Sequence, residues 1–105
     1  TMAYRFDLGP KVDLVEIEQT LHLAIYAAEG IHGSARIRLE AGYHLDRERR
    51  ICIVDARTDA GETVVRIFTG LLAREIGEDG FAVERIEVCE PVGSVSEDAA
   101  AGAAR

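Results

Sequence analysis

The chain has 105 residues, 12 basic and 19 acidic, for a formal net charge of −7, and it is 48% hydrophobic with 2 Cys, 2 Pro and no Trp. That length favours a single domain burying roughly 65% of its unfolded surface, and the apolar content excludes disorder over most of the chain. No stretch reaches the ~18 uncharged apolar residues that a bilayer span requires. Two Cys furnish neither a disulfide framework nor a four-thiolate metal site. An acidic chain is also a poor nucleic-acid binder, because phosphate neutralisation supplies most of that affinity.

Thr1, ahead of Met2, is set aside as an addition to the natural start. Met2 is followed by Ala3-Tyr4-Arg5-Phe6-Asp7, which has no apolar signal region, so a cytoplasmic setting with reduced thiols is expected. Met2, Tyr4, Phe6 and Leu8 alternate with Ala3, Arg5 and Asp7, the period of a half-buried strand that Gly9-Pro10 ends. Asp13-x-x-Glu16 fits a capping box, and Leu14, Ile17, Leu21, Ala24, Ile25 and Ala28 then recur on one helix face. Gly30 and Gly33 are read as its stop.

Next, Ala35, Ile37, Leu39, Ala41, Tyr43 and Leu45 alternate with Arg36, Arg38, Glu40, Gly42 and His44, which predicts a long amphipathic strand over 35–45. The turn Asp46-Arg47-Glu48-Arg49 leads into a near-continuous apolar strand over 50–56. Asp59-x-x-Glu62 repeats the capping pattern, and Val64, Val65, Phe68, Leu71, Leu72 and Ile76 form a second helix face that Gly77 closes. Phe81, Val83, Ile86 and Val88 suggest a last strand, with the alternation slipping at Glu84-Arg85. Residues 91–105, with Gly93, Ser94, Ser96 and an Ala-rich run, lack periodicity and read as a tail behind a domain of residues 2–90.

The order β-α-β-β-α-β is the split βαβ, ferredoxin-like sandwich. Right-handed crossovers give it an antiparallel sheet ordered 4-1-3-2, with both helices on one face. The other face then has nothing from this chain to cover it. On that face the strand 35–45 is expected to show Arg36, Arg38, Glu40 and His44. The central strand 50–56 shows either Cys52, Val54 and Ala56 or, in the other register, Ile51 and Ile53. Contiguous exposed apolar surface usually marks an interface. Residues 34–57 carry six arginines against four carboxylates, +2, leaving −9 for the rest. That division, with Arg36 and Arg38 at one edge and Glu84 and Glu87 at the other, fits a two-fold pairing of sheets.

Self-association as a homodimer through the sheet face, with Arg36, Arg38, Glu40, His44, Cys52 and Val54 as interface or ligand candidates, is therefore the expected function. A separate protein partner is also compatible with that face. The competing reading is a small-molecule-binding protein or enzyme with a sheet-face cavity lined by His44, Arg36, Arg38 and Cys52, in which His44 serves as base.

Other chemistry lacks material. Glu18-x-x-x-His22 and Glu29-x-x-His32 have metal-ligand spacings, but Gly30 and Gly33 interrupt the second and the first is an ordinary surface pair, so no metal or cofactor is expected. Cys52 and Cys89 are expected with the first strand between them, about 10 Å apart and beyond disulfide reach. Ser34 is the only serine before the tail and has no nucleophile-elbow context. The central strands present no aromatics for RNA stacking, and the chain has no Asn for acylphosphatase-like chemistry. Neither nucleic acid nor membrane is expected as a partner.

Overall fold

The computed structural model describes residues 2–87. Cys89 and the expected tail lie outside them. The elements in chain order are β1 (Met2–Leu8), α1 (Leu14–His32), α2 (Ser34–Glu40), β2 (Tyr43–Asp46), β3 (Ile51–Asp55), α3 (Asp59–Ile76) and β4 (Phe81–Glu87). The class is α+β, with a four-stranded antiparallel sheet and three helices. The strand order β2-β3-β1-β4 is the expected order read from the opposite edge.

The long strand expected over 35–45 is not formed, and the register of β4 against β1 runs unbroken through Glu84-Arg85, where a slip was expected. Residues 34–40 are helical, and only Tyr43–Asp46 pair with β3. Ala, Arg, Leu and Glu are all good helix formers, and in Ser34-Ala-Arg-Ile-Arg-Leu-Glu40 they outweigh a two-residue alternation too short to decide. The alternation carried no burial: Ile37 is 2% exposed, but Leu39 is 83% exposed. Arg36 Nε donates to Glu40 Oε1 at 3.0 Å, an (i, i+4) pair that only a helix brings together.

The helix ends follow local chemistry. Asp13 caps α1 by accepting from Val15 N–H at 2.9 Å. Thr58 caps α3 by accepting from Gly61 N–H at 3.1 Å, one residue before the expected Asp59, which instead sits with Glu62 in the acidic first turn. Gly30 lies within α1 and does not end it. Gly33, at φ 89°, breaks the chain between α1 and α2, and its N–H donates to Glu29 C=O at 2.8 Å.

All three helices contribute to one core on one side of the sheet. Phe6, Leu8, Cys52 and Val54 point toward Ile17, Leu21 and Ala24 of α1, Ile37 of α2 and Val64, Phe68 and Leu72 of α3. The rings of Phe6 and Phe68 meet edge to face, centroids 4.8 Å apart. Alternation places Ala3, Arg5, Asp7, His44, Asp46, Ile51, Ile53, Asp55, Ala82, Glu84 and Ile86 on the other side.

At the start of α3 the helix backbone lies against the end of β3. A methyl group on Gly61 would collide with the Asp55 carbonyl oxygen, which is backbone and cannot swing aside. Gly61→Ala should therefore lower unfolding stability by about 1–3 kcal/mol, as overpacking does. Chemical denaturation of the two proteins checks this.

Candidate functional site

The six sequence-derived candidates do not form one site. His44 is exposed on the open face, as expected. Arg36, Arg38 and Glu40 lie on α2, on the helix side of the sheet. Cys52 and Val54, 0% and 1% exposed, face the helices. Of the two registers open to β3, the structure takes the one that turns Ile51 and Ile53 outward. Cys52 and His44 therefore lie on opposite faces, and the cavity expected between His44, Arg36, Arg38 and Cys52 is not formed. Arg38 lines a different cavity, of about 260 Å³, with Ile25, Glu29, Ile37, Ala41 and Tyr43.

Arg36 acts as a fastener between helices. Its Nη1 donates to His32 Nδ1 at 3.3 Å, so that nitrogen is the acceptor and Nε2 carries the proton donated to Thr63 Oγ1 at 2.8 Å. The Thr63 hydroxyl in turn donates to Asp59 C=O at 2.9 Å. The chain of bonds ties α2 and the end of α1 to the start of α3.

A second network was only half legible. Tyr43 Oη donates to Glu18 Oε2 at 3.3 Å and accepts from His22 Nε2 at 2.9 Å, and Arg47 Nη2 donates to Glu18 Oε1 at 2.7 Å. The Glu18–His22 spacing is visible in the sequence, but its partner Tyr43 is supplied by β2. Burial, reinforced by the Glu18 charge, raises the Tyr43 pKa. With Glu18 held by Arg47 and Tyr43, the pair has a structural use. Among the described residues, no three His, Cys, Asp or Glu side chains converge as metal ligands.

The open face has a graded make-up. Ile51 and Ile53 of β3 and Ile86 of β4 are half-buried there. Beside them Arg5 Nε meets Asp7 Oδ1 at 3.2 Å. His44 stands at the β2 edge and Glu84 at the β4 edge, both exposed, in one row with Ile53 and Arg5. Ala3 and Asp55 close one end, both buried. Asp55 Oδ2 takes Arg57 Nε at 2.9 Å, and its Oδ1 takes the Arg57 backbone N–H at 2.8 Å. No described helix covers the rest, and none is long and apolar enough to cross a membrane.

Protein-family models, curated proteins and solved structures yield no match to the chain. The functional reading rests on the geometry.

Burial, with a smaller contribution from the Glu18 charge, pushes the Cys52 thiol from 9.0 up to about 12. Below pH 9 this thiol is neutral in both folded and unfolded chains, and its contribution is fully present. Between pH 9 and 12 only the unfolded thiol ionises, so stability should fall by about 1.4 kcal/mol per pH unit from this group. Denaturation midpoints across that range should show a shallower alkaline slope for Cys52→Ala than for the parent chain. The slope, not the absolute stability, is the readout.

Proposed function

We propose that this chain is a non-enzymatic interaction module of ferredoxin-like architecture, with one added helix, that pairs with a second copy through the open face of its sheet. The observation that carries the reading is the outward pair Ile51 and Ile53 on central β3, with Ile86 alongside, on a face that no described helix covers. An antiparallel sheet that faced only water would alternate apolar inward and polar outward; β3 instead is apolar on both sides. Apolar sheet faces are covered by packing a second sheet about 10 Å away.

The charges on the face favour a second copy. A two-fold axis lying between the sheets and parallel to the strands lays β2 of one copy over β4 of the other. His44 of each copy then faces Glu84 of its mate, and the β3 isoleucines lie over β1. The Arg36-to-Glu87 gradient expected from the sequence plays no part. Arg36 lies on α2, and Glu87 takes a helix-side position opposite Met2. A cytoplasmic setting goes with this reading, since Cys52 is a free thiol in the core.

Asp at Val54 would bury an unpaired charge in the core and test only folding. Ile53 is the informative position. Ile53→Asp should lower the molar mass measured by light scattering on a size-exclusion column at micromolar concentration, with the far-ultraviolet circular dichroism retained. An unchanged mass overturns pairing through this face.

A further inference from the structure

β4 differs from every other strand in what surrounds it. Among the described residues it is paired only on its β1 side, and Ala82, Val83, Glu84 and Arg85 in succession are exposed. Val83, on the helix side, is 40% exposed, the one large apolar strand residue so open among those described. Between α3 and β4 lies a cavity of about 360 Å³ lined by Tyr4, Glu62, Val65, Arg66, Thr69 and Val83. The opposite edge strand, β2, has 4 residues against 7 in β4.

The hydrogen-bond phase of β4 follows from its neighbours. Gly9 N–H donates to Gly80 C=O at 3.0 Å, which makes Gly9 and Gly80 a hydrogen-bonded pair of the β1–β4 ladder. Antiparallel ladders alternate, so Asp7 with Ala82, Arg5 with Glu84 and Ala3 with Ile86 exchange the remaining bonds. The other edge of β1 agrees: Leu8 N–H donates to Arg50 C=O at 2.9 Å, and Ala56 N–H to Met2 C=O at 3.0 Å, so even-numbered β1 residues serve β3. The N–H and C=O groups of Phe81, Val83 and Arg85 therefore point away from the sheet. A seven-residue edge with no proline or glycine is a template for another strand.

We propose that β4 pairs antiparallel with β4 of a second copy, Val83 opposite Val83, making one continuous eight-stranded sheet from two chains. A two-fold axis normal to the sheet keeps the helix side on one side, so odd residues face odd and even face even. Among such registers, the one centred on Glu84 sets Glu84 against itself, and the one centred on Arg85 sets Arg85 against itself. Centring on Ala82 leaves Arg85 beyond the paired stretch. Centring on Val83 places Phe81 opposite Arg85, ring against guanidinium, and Ala82 opposite Glu84. All three outward residues of each strand then exchange both backbone bonds, and the Val83 side chains cover one another beside the cavity. Of the registers compared, the Val83 one sets no like charges opposite and leaves no outward donor or acceptor of Phe81, Val83 or Arg85 unpaired.

This contact is independent of the sheet-face pairing, because it uses backbone atoms of the edge and leaves Ile51 and Ile53 untouched. With both contacts made, the assembly holds at least four chains. In light scattering, Val83→Lys and Ile53→Asp should each cut the assembly down to dimers, and the double variant should be monomeric. Val83→Pro removes an N–H that the β1 ladder does not use and should act like Val83→Lys. The register has its own test in a Cys89→Ser background. Opposed Val83 Cα atoms lie about 5.5 Å apart, within disulfide reach, so Val83→Cys should give a covalent dimer on mild oxidation and Glu84→Cys should not. Cross-linking at Glu84 instead of Val83, or an unchanged mass for Val83→Lys, overturns the edge pairing. If Val83→Lys acts and Ile53→Asp does not, the sheet-face reading fails and the edge stands.

Discussion

The contact of Phe6 with Phe68 organises the molecule. Phe6 is on β1, flanked by both β3 and β4, and Phe68 is in the middle of α3. Around this edge-to-face pair the core closes with Cys52 and Val54 from β3, Leu21 from α1 and Leu72 from α3. Because β1 commits its even-numbered residues to that side, alternation assigns the odd-numbered ones to the other. Through the ladder the same parity passes to β3 and β4. The position of one aromatic side chain thus decides that Ile51 and Ile53 face outward.

Polar groups secure the rim of this core more than they line a reaction site. Tyr43, Glu18, His22 and Arg47 bind α1 to β2 and its hairpin. His32, Arg36 and Thr63 bind the three helices together. Arg50, in the left-handed region at φ 58°, donates to the carbonyls of Gly9 and Val12 and so closes the loop that follows β1. These bonds satisfy backbone and side-chain groups that would otherwise be costly to bury. They engage the His and Arg side chains that are conspicuous in the sequence in bonds between elements.

The strand order was legible because the element order and right-handed crossovers dictate it, and both long helices because each rests on periodicity repeated over several residues. Asp13 was legible as a cap because its chemistry is local. Residues 35–41 were misread because two periods overlap there: Ala35, Ile37 and Leu39 alternate, but the helical pair Arg36–Glu40 occupies the same stretch. The sequence pattern of β3, Ile-Cys-Ile-Val, is apolar at every position, so alternation could not choose its inward side. That choice came from its neighbour, where Phe6 opposes Cys52 across the ladder. The exposure of β4 was invisible because it depends on how α3 packs beside Val83, which no local pattern reports.

The pairing of β1 with β4 joins residues 2–8 to residues 81–87, nearly the full span of the described chain. This has a consequence for the order of events during synthesis. The hairpin of β2 and β3, and its pairing with β1, can form while the chain is still growing. One edge of β1 nevertheless stays bare until residues 81–87 emerge. The strand that supplies the ring of Phe81, stacked 6.4 Å from Phe6, is the last described strand to arrive. Contacts so distant along the chain are slow to close. Until then the nascent chain carries an unpaired strand at the centre of its future sheet, and the final seven described residues are what converts it from a partner-seeking intermediate into a closed ladder.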